Sequence, residues 1–428
     1  MRRPALLALL AFTAVFMATV PYYRGWFDLY VYYGTVDSWL HRGGRIYDYH
    51  LPGTPYGFTY PPFAALCMAP LTLIPRAAAV AAVLAANIAA SAYTLRQLAP
   101  RRWPPAAVAC LFVMLEPVRD TLSLGQVNLL LLALVLTDLR PHRLTGVGTG
   151  LAAAVKLTPA LFIASLLLTR RWRAAATATG VGAAATAAGW LAAPGPSHTY
   201  WTHALWDTNR VGSLSYISNQ SLRGVLSRLG DPGGPPLWAA GVLAILCLWA
   251  RRIHRTHNDA LTTTALTGTA ACLISPVTWV HHLIWLLPAL AVLLRHHRRR
   301  AATTYTILCS SVVWLWRDHP SGPTALIGAN TYVWLTLWLL LTLPHHPPTP
   351  RHPPTPAPAG ARPPRPPRPP RPQVRQQPEP ATTRHHPEQR TPRDSSPPTP
   401  TPNCPPPKPR RTTRQHHRRI TASDGPTD

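Results

Sequence analysis

Apolar and polar positions alternate in long blocks along this chain up to about Leu343. The apolar blocks are Leu6–Val20, Ala77–Leu95, Ala106–Pro117, Leu122–Leu139, Gly146–Leu168, Ala174–Ala193, Leu237–Ala250, Leu261–Val277, Leu283–Leu294, Thr303–Trp316 and Ala325–Leu343. A helix that crosses a bilayer needs roughly 20 apolar residues, and about 17 suffice in a short or tilted one, so these blocks predict an all-α polytopic membrane protein of about ten to twelve helices. The first block follows Arg2 and Arg3 as a secretory signal would. Tyr22, Tyr23 and Arg24 then stand where a cleavage site needs small residues, so the block reads as a retained helix. Gly146–Leu168 is too short for two full helices and carries Lys156-Leu157-Thr158-Pro159 in its middle, which predicts a broken or re-entrant helix with Lys156 near its tip.

The polar blocks between the runs sort by charge. Arginines cluster at Arg2-Arg3, Arg96 with Arg101-Arg102, Arg140 with Arg143, Arg170-Arg171 with Arg173, Arg251-Arg252 with Arg255, and Arg295 with Arg298 to Arg300. Short basic loops mark the cytoplasmic face. The segments left for the outer face are then Pro21–Pro62, Glu116–Leu124, Pro194–Pro236, Ser275–His282 and Arg317–Pro323. The polar residues worth examining all fall at or near that face.

Composition changes the picture only at the end of the chain. The averages, 47% hydrophobic, 13% charged and a net charge of +27 over 428 residues, mix two materials. Residues 1–343 read as a membrane domain. Residues 344–428, with PPRPPRPPRPQVR and PTPTPNCPPPKPRR, have too few apolar side chains to offset their ordering entropy, which predicts a disordered, basic, proline-rich cytoplasmic tail. Such a tail is drawn to anionic lipid surfaces. Its charge lacks the aromatic interleaving or folded module of a nucleic-acid binder. The six cysteines lie mostly inside apolar runs without metal-ligand spacing, and Cys404 falls in the tail.

Candidate chemistry gathers in a few outer segments. Asp28, between Phe27 and Tyr30, is either a loop or cap charge among interfacial aromatics or a functional carboxylate, because ionised groups at membrane depth are costly. Asp37 and Asp48 are weaker candidates of the same kind. Thr59–Phe63, TYPPF, fixes φ at two prolines and biases Tyr60 away from helix, so it stops the first outer loop and launches a helix. Gln126 and Asn128 stand at the outer start of an apolar helix, where they either bond neighbouring helices or bind a sugar. Lys156 is too far from a helix end to snorkel easily and must meet an anion or carbonyls; a lipid phosphate is one such anion and a structural salt bridge the alternative. Asn219, Gln220, Arg223 and Arg228 sit in Ser218–Arg228, and the two outer arginines break the sign rule in the way a bound anion would explain. Asn219-Gln220-Ser221 is also a glycosylation-type tripeptide, a pattern common by chance. His281 and His282 point about 100° apart on a helix, which suits one metal poorly. One of them could contact a phosphate or a departing oxygen, or both could bond at the interface with Trp279 and Trp285.

Taken in order, FDLYVYY (Phe27–Tyr33), GFTYPPF (Gly57–Phe63), GQVNLLLL (Gly125–Leu132), AAVKLTPALF (Ala153–Phe162), SNQSLRGVLSR (Ser218–Arg228) and SPVTWVHHLIW (Ser275–Trp285) resemble the bacterial polyprenol-phosphate-mannose-dependent α-(1→2)-mannosyltransferases, glycosyltransferase family 87. The resemblance covers most of Phe27–Leu294. It implies a GT-C fold in the plasma membrane, a polyprenyl-phosphate sugar donor, a lipid- or glycan-linked acceptor, and inverting transfer of a hexose, usually mannose, on the outer face. It implies Asp28 as general base, one histidine of His281 and His282 on the donor phosphate, and Lys156 with Asn219 to Arg223 as site lining. Val280 stands before the histidines where an acid is common in the family. No acid cluster that would hold a metal is visible, so no cofactor is expected. A transporter or flippase of a lipid-linked glycan is the contrary class; it would be expected to show paired broken helices, and only the break at Lys156 is evident in the sequence. A scaffold displaying its tail is the third.

Overall fold

The computed structural model describes residues 3–20, 23–256, 259–319 and 322–344. The tail expected over 344–428, Cys404 included, lies outside the described residues apart from Pro344. In chain order the helices are α1 (Arg3–Thr19), α2 (Phe27–His41), α3 (Pro62–Met68), α4 (Arg76–Leu98), α5 (Pro105–Val113), α6 (Glu116–Leu124), α7 (Asn128–Thr137), α8 (Val147–Val155), α9 (Ala160–Leu168), α10 (Trp172–Ala192), α11 (Pro194–Thr199), α12 (Leu222–Arg228), α13 (Gly234–His254), α14 (Ala260–Ile274), α15 (Leu287–His296), α16 (Arg298–Cys309), α17 (Pro323–Gly328) and α18 (Thr331–Thr342). Among the described residues there is no strand, only an isolated antiparallel bridge between His50 and Gly57.

The apolar blocks form helices, as their pattern demands, but fewer continuous ones than expected. α4, of 23 residues, and α13, of 21, are each long and apolar enough to cross a membrane alone. Both leave most of that apolar length outside the protein core, with Ile88 and Leu243 exposed, which is the disposition of a lipid-facing helix. Other blocks are interrupted. Ala106–Pro117 ends as helix at Val113, Leu283–Leu294 begins as a 3-10 turn over Val280–Leu286, and Thr303–Trp316 becomes α16 followed by a 3-10 turn over Val312–Trp316.

Two breaks matter for function. The expected one separates α8 from α9: Lys156 takes an extended conformation, φ −148° and ψ 132°, and Pro159 sits at the N-cap of α9. The unexpected one divides Leu122–Leu139. α6 ends on Gly125 in the left-handed region, φ 71°, and the chain turns through 114° before α7 resumes at Asn128. Glycine is required there twice over: the positive φ is costly for other residues, and a Cβ at Gly125 would lie 2.6 Å from the Cβ of Leu29. The single break read from the sequence is therefore corrected to two, and the count of breaks no longer separates an enzyme from a transporter.

The main core is built on α14, whose residues from Leu261 to Leu273 are all buried. Its threonines are tolerated because their hydroxyls donate to carbonyls one turn back, Thr264 to Ala260 at 2.8 Å and Thr267 to Thr263 at 2.8 Å. At Gly268 an added Cβ would overlap the Trp285 carbonyl oxygen, so this glycine lets the Val280–Leu286 turn lie directly on α14. Elsewhere buried polar residues close helix ends. Asp138 accepts from the Gly146 and Thr149 N–H groups at the start of α8, at 2.8 and 2.9 Å, and Arg252 donates to the carbonyls of Leu341 and Leu343 at the end of α18. A second core packs the first loop: Val31, Tyr32, Val36, Tyr47, Phe58 and Tyr60 with Ala64, Ala65 and Tyr200.

Candidate active site

The two corners and the first loop open onto one cavity of about 850 Å³. Asp28, Gln126, Lys156, His281 and His282 all line it, together with Tyr32 and Tyr60. These residues are drawn from positions 28 to 282 of the chain.

Asp28 lies in the first turn of α2, where free N–H groups favour a carboxylate. The turn that aims it is built from consecutive left-handed residues, Gly25 at φ 66° and Trp26 at φ 57°, and the Trp26 N–H is fastened to the Ser123 carbonyl at 2.9 Å. That bond seats the start of α2 on α6, beside the corner at Gly125. Gln126, at the corner, donates through Nε2 to Asp28 Oδ2 at 2.7 Å and accepts from the Tyr60 hydroxyl at 2.9 Å. Tyr60 accepts from Tyr32 at 3.0 Å and from Lys156 Nζ at 3.3 Å. The enclosure of Asp28 raises its pKa to about 6, against the opposing pull of the Gln126 hydrogen bond and the positive charge of Lys156. A carboxylate so tuned is ionised at neutral pH yet basic enough to take a proton.

Lys156 projects from the α8–α9 break onto Asn128 Oδ1 at 3.1 Å and lies 2.8 Å from His282 Nε2. The Nδ1 atom of His282 faces the Trp279 N–H at 3.2 Å. The Trp279 N–H and Lys156 Nζ thus stand against opposite nitrogens of the ring and fix its orientation. Lys156 and His282 form one hydrogen-bonded pair at the cavity wall, placed where an anion in the cavity could meet the lysine. The rings of His281 and His282 stand perpendicular with centroids 4.6 Å apart. The His281 carbonyl accepts from Asn128 Nδ2 at 3.3 Å and Thr121 Oγ1 at 3.4 Å, while its Nε2 is buried without a hydrogen-bond partner among the described residues. Among the described residues no three His, Cys, Asp or Glu side chains come together as a metal site would require.

The other expected residues lie elsewhere. Asn219 and Gln220 are fully buried and do not line the cavity. Asn219 donates to the carbonyls of Leu214 at 2.9 Å and Pro276 at 3.2 Å and accepts from the Thr278 N–H at 2.9 Å. Gln220 donates to Ile217 and Ala329 at 2.7 and 2.8 Å. Together they fasten the segment that carries the histidines. Arg223 forks onto Asp231 at 2.5 and 2.6 Å, away from the cavity, and Arg228 bonds Asn330 and the carbonyls of Tyr216 and Asn219. The anions and carbonyls that hold both arginines belong to this chain.

Sequence reasoning missed three cavity residues. Tyr60 reads as part of a helix-launching turn, Arg24 as a flank of the first helix, and Asp120 as an unremarked acid in a short outer segment. The available signal for Tyr60 was its place before two prolines, which holds it extended and lets its hydroxyl reach the amide.

The sequence profile of glycosyltransferase family 87 matches residues 58–276. A polyprenol-phosphate-mannose-dependent α-(1→2)-phosphatidylinositol mannoside mannosyltransferase of Mycobacterium tuberculosis is 36% identical over 360 residues, covering 73% of this chain and 83% of the relative. A polyprenol-phosphate-mannose-dependent α-(1→2)-phosphatidylinositol pentamannoside mannosyltransferase of Mycolicibacterium smegmatis is 36% identical over 357 residues, covering 79% of each chain. No solved structure matches significantly. A helical chain with membrane-length apolar segments and these relatives is a sugar-transferring enzyme. It belongs to glycosyltransferase family 87.

Proposed function

We propose that this chain transfers mannose from a polyprenyl-phosphate-linked donor to a hydroxyl of a phosphatidylinositol mannoside-type acceptor, with inversion and formation of an α-(1→2) linkage, at the outer face of the plasma membrane. The donor, acceptor and linkage are those in the names of its relatives. The observation that carries the mechanism is the convergence of Asp28, Gln126, Lys156 and His282 on one cavity.

In this reading the acceptor oxygen attacks the anomeric carbon while the bond from that carbon to the phosphate oxygen breaks. The electron pair leaves with polyprenyl phosphate, and the hydroxyl proton passes to Asp28. A phosphate needs no strong acid to depart, only fixed donors that meet its charge. Lys156, paired with the His282 ring, fills that role, oriented from behind by Asn128 while the Trp279 N–H holds the ring. Gln126 and Tyr60 link the base to the phosphate end, so that acid and donors keep a common spacing. No step calls for a metal. Residues 1–343 form the catalytic body and residues 344–428 a cytoplasmic tether dispensable for chemistry. The outer-face assignment is supported by the arginine clusters, which leave every cavity-bearing loop on the opposite side.

The deciding experiment is mannosyl transfer from polyprenyl-phosphate-mannose by purified full chain in vesicles, with Asp28→Asn beside the wild type at equal protein level. Loss of transfer in the variant supports the assigned base, and full activity refutes it.

A further inference from the structure

The reaction described above leaves part of the cavity wall unused. Arg24 and Asp120 line the same cavity as Asp28, as do Tyr216, Trp279 and Trp314. The aromatic rings form a continuous edge-to-face wall, with centroids 6.0 Å apart between Tyr216 and Trp279 and 6.1 Å between Tyr216 and Trp314. Arg24 lies over Trp314, 4.8 Å from the ring centroid, and its Nε donates to Asp120 Oδ1 at 3.4 Å. Asp120 is 4% exposed. The two oxygens of a carboxyl group can take part in up to about four hydrogen bonds. Among the described residues the long bond from Arg24 is the one side-chain hydrogen bond that reaches it, so most of its accepting capacity is unspent. The buried, unpartnered Nε2 of His281 belongs to the same wall.

Three features narrow the ligand. Aromatic faces bury apolar C–H surface at low entropy cost. A carboxylate beside a guanidinium both accepts from and donates to neighbouring hydroxyls. Asp120 beside Arg24 also sets an oxygen against the guanidinium, so this stretch of wall suits a group that both donates and accepts, in contrast to the Lys156–His282 end. A sugar ring, with an apolar face and an edge of vicinal hydroxyls, meets all three conditions.

We infer that Arg24 and Asp120, with Trp279 and Trp314, form the acceptor subsite, which holds the sugar that receives the new linkage by its vicinal hydroxyls and presents the free one to Asp28. This rests on the transferase reading given above. Asp120 is accordingly a positioning residue for the acceptor and Asp28 the proton acceptor.

The test uses the full chain in vesicles at saturating polyprenyl-phosphate-mannose, with a phosphatidylinositol mannoside as varied acceptor and an analogue of it lacking the hydroxyl next to the reacting one. In Asp120→Asn and Arg24→Gln the acceptor KM is expected to rise about tenfold or more, the scale of one charge-assisted hydrogen bond, with the donor KM unmoved. Wild type should discriminate against the deoxy analogue, and Asp120→Asn should lose most of that discrimination, a change that a merely structural role would not produce. An unchanged acceptor KM in both variants overturns the subsite, and so does a raised donor KM. If Asp120→Asn does not fold, Arg24→Gln, altered at a partly exposed side chain, decides by the same readout. Retained transfer in Asp28→Asn would sink the base assignment while leaving the acceptor readout intact, so the two failures are distinguishable.

Discussion

Two polar regions of this molecule are made of the same residue types and do different things. Around Asp28 an amide, a lysine, tyrosines and a histidine bond one another side chain to side chain across the wall of an open cavity. Around Asn219 amides and arginines spend their hydrogen bonds on backbone carbonyls, on Asn330 and on Asp231. The second region is closed: most of its donors already have a main-chain or side-chain acceptor, and what it produces is the placement of the Ser275–Trp279 segment. The first is open, its groups lining a cavity of about 850 Å³, and in the proposed reading they change partners when substrate arrives. Residue type alone does not distinguish scaffold from site; the identity of the partner does.

Breaking the open region should cost most. Asp28→Asn is expected to lower kcat by about 10²–10⁴-fold, the usual worth of a positioned base, read as initial rates of mannosyl transfer. Lys156→Met should cost about 10²–10³-fold through loss of a fixed donor at the leaving phosphate, and assays with a better leaving group on the donor should shrink that loss. The acid limb sharpens the same contrast. With its pKa raised to about 6, Asp28 is ionised and competent above that pH and protonated below it, so activity should fall as pH drops through about 6. Gln126→Leu removes a hydrogen bond that favours the ionised form and should move that midpoint upward in a pH–rate profile.

Breaking the closed region should act through stability. Asn219→Ala strands the Thr278 N–H and should cost about 1–3 kcal/mol, seen as a lower melting temperature in detergent with near-normal KM values in the folded fraction. The smallest effect is expected at Arg223→Gln. Asp231 is partly in solvent, the pair is screened, and the loss should be about 0.2–1 kcal/mol with transfer unchanged.

The sequence carried the helical class, the basic clusters and the Lys156 break, because each rests on a local cause: apolar run length, charge sign, and a proline two residues past a lysine's neighbour. It pointed to Asp28 and the histidines, which line one cavity, through the arginine pattern and through the family's motifs. It hid the second break, because Gly125 in an apolar stretch reads equally as a tolerated helical glycine, and only the approach of Leu29 explains it. It also hid the closed nature of the Asn219 block, since an amide next to an arginine has the same pattern whether its acceptor is a phosphate or a carbonyl 57 residues on. The Asp120 carboxylate was invisible because its meaning comes from Arg24 and Trp314, which are far from it in the chain.

The corner at Gly125 has a wider consequence. Leu29, the neighbour of the proposed base, rests its side chain on a backbone with no Cβ to hold it away, so this close approach, with the Trp26 N–H bond to Ser123, helps set the spacing between the carboxylate and its amide. Methylating that corner, as alanine would, inserts a wedge whose effect is felt one residue off, at the acid. Enzymes of this design would then have little freedom to drift at a position that touches neither substrate nor solvent.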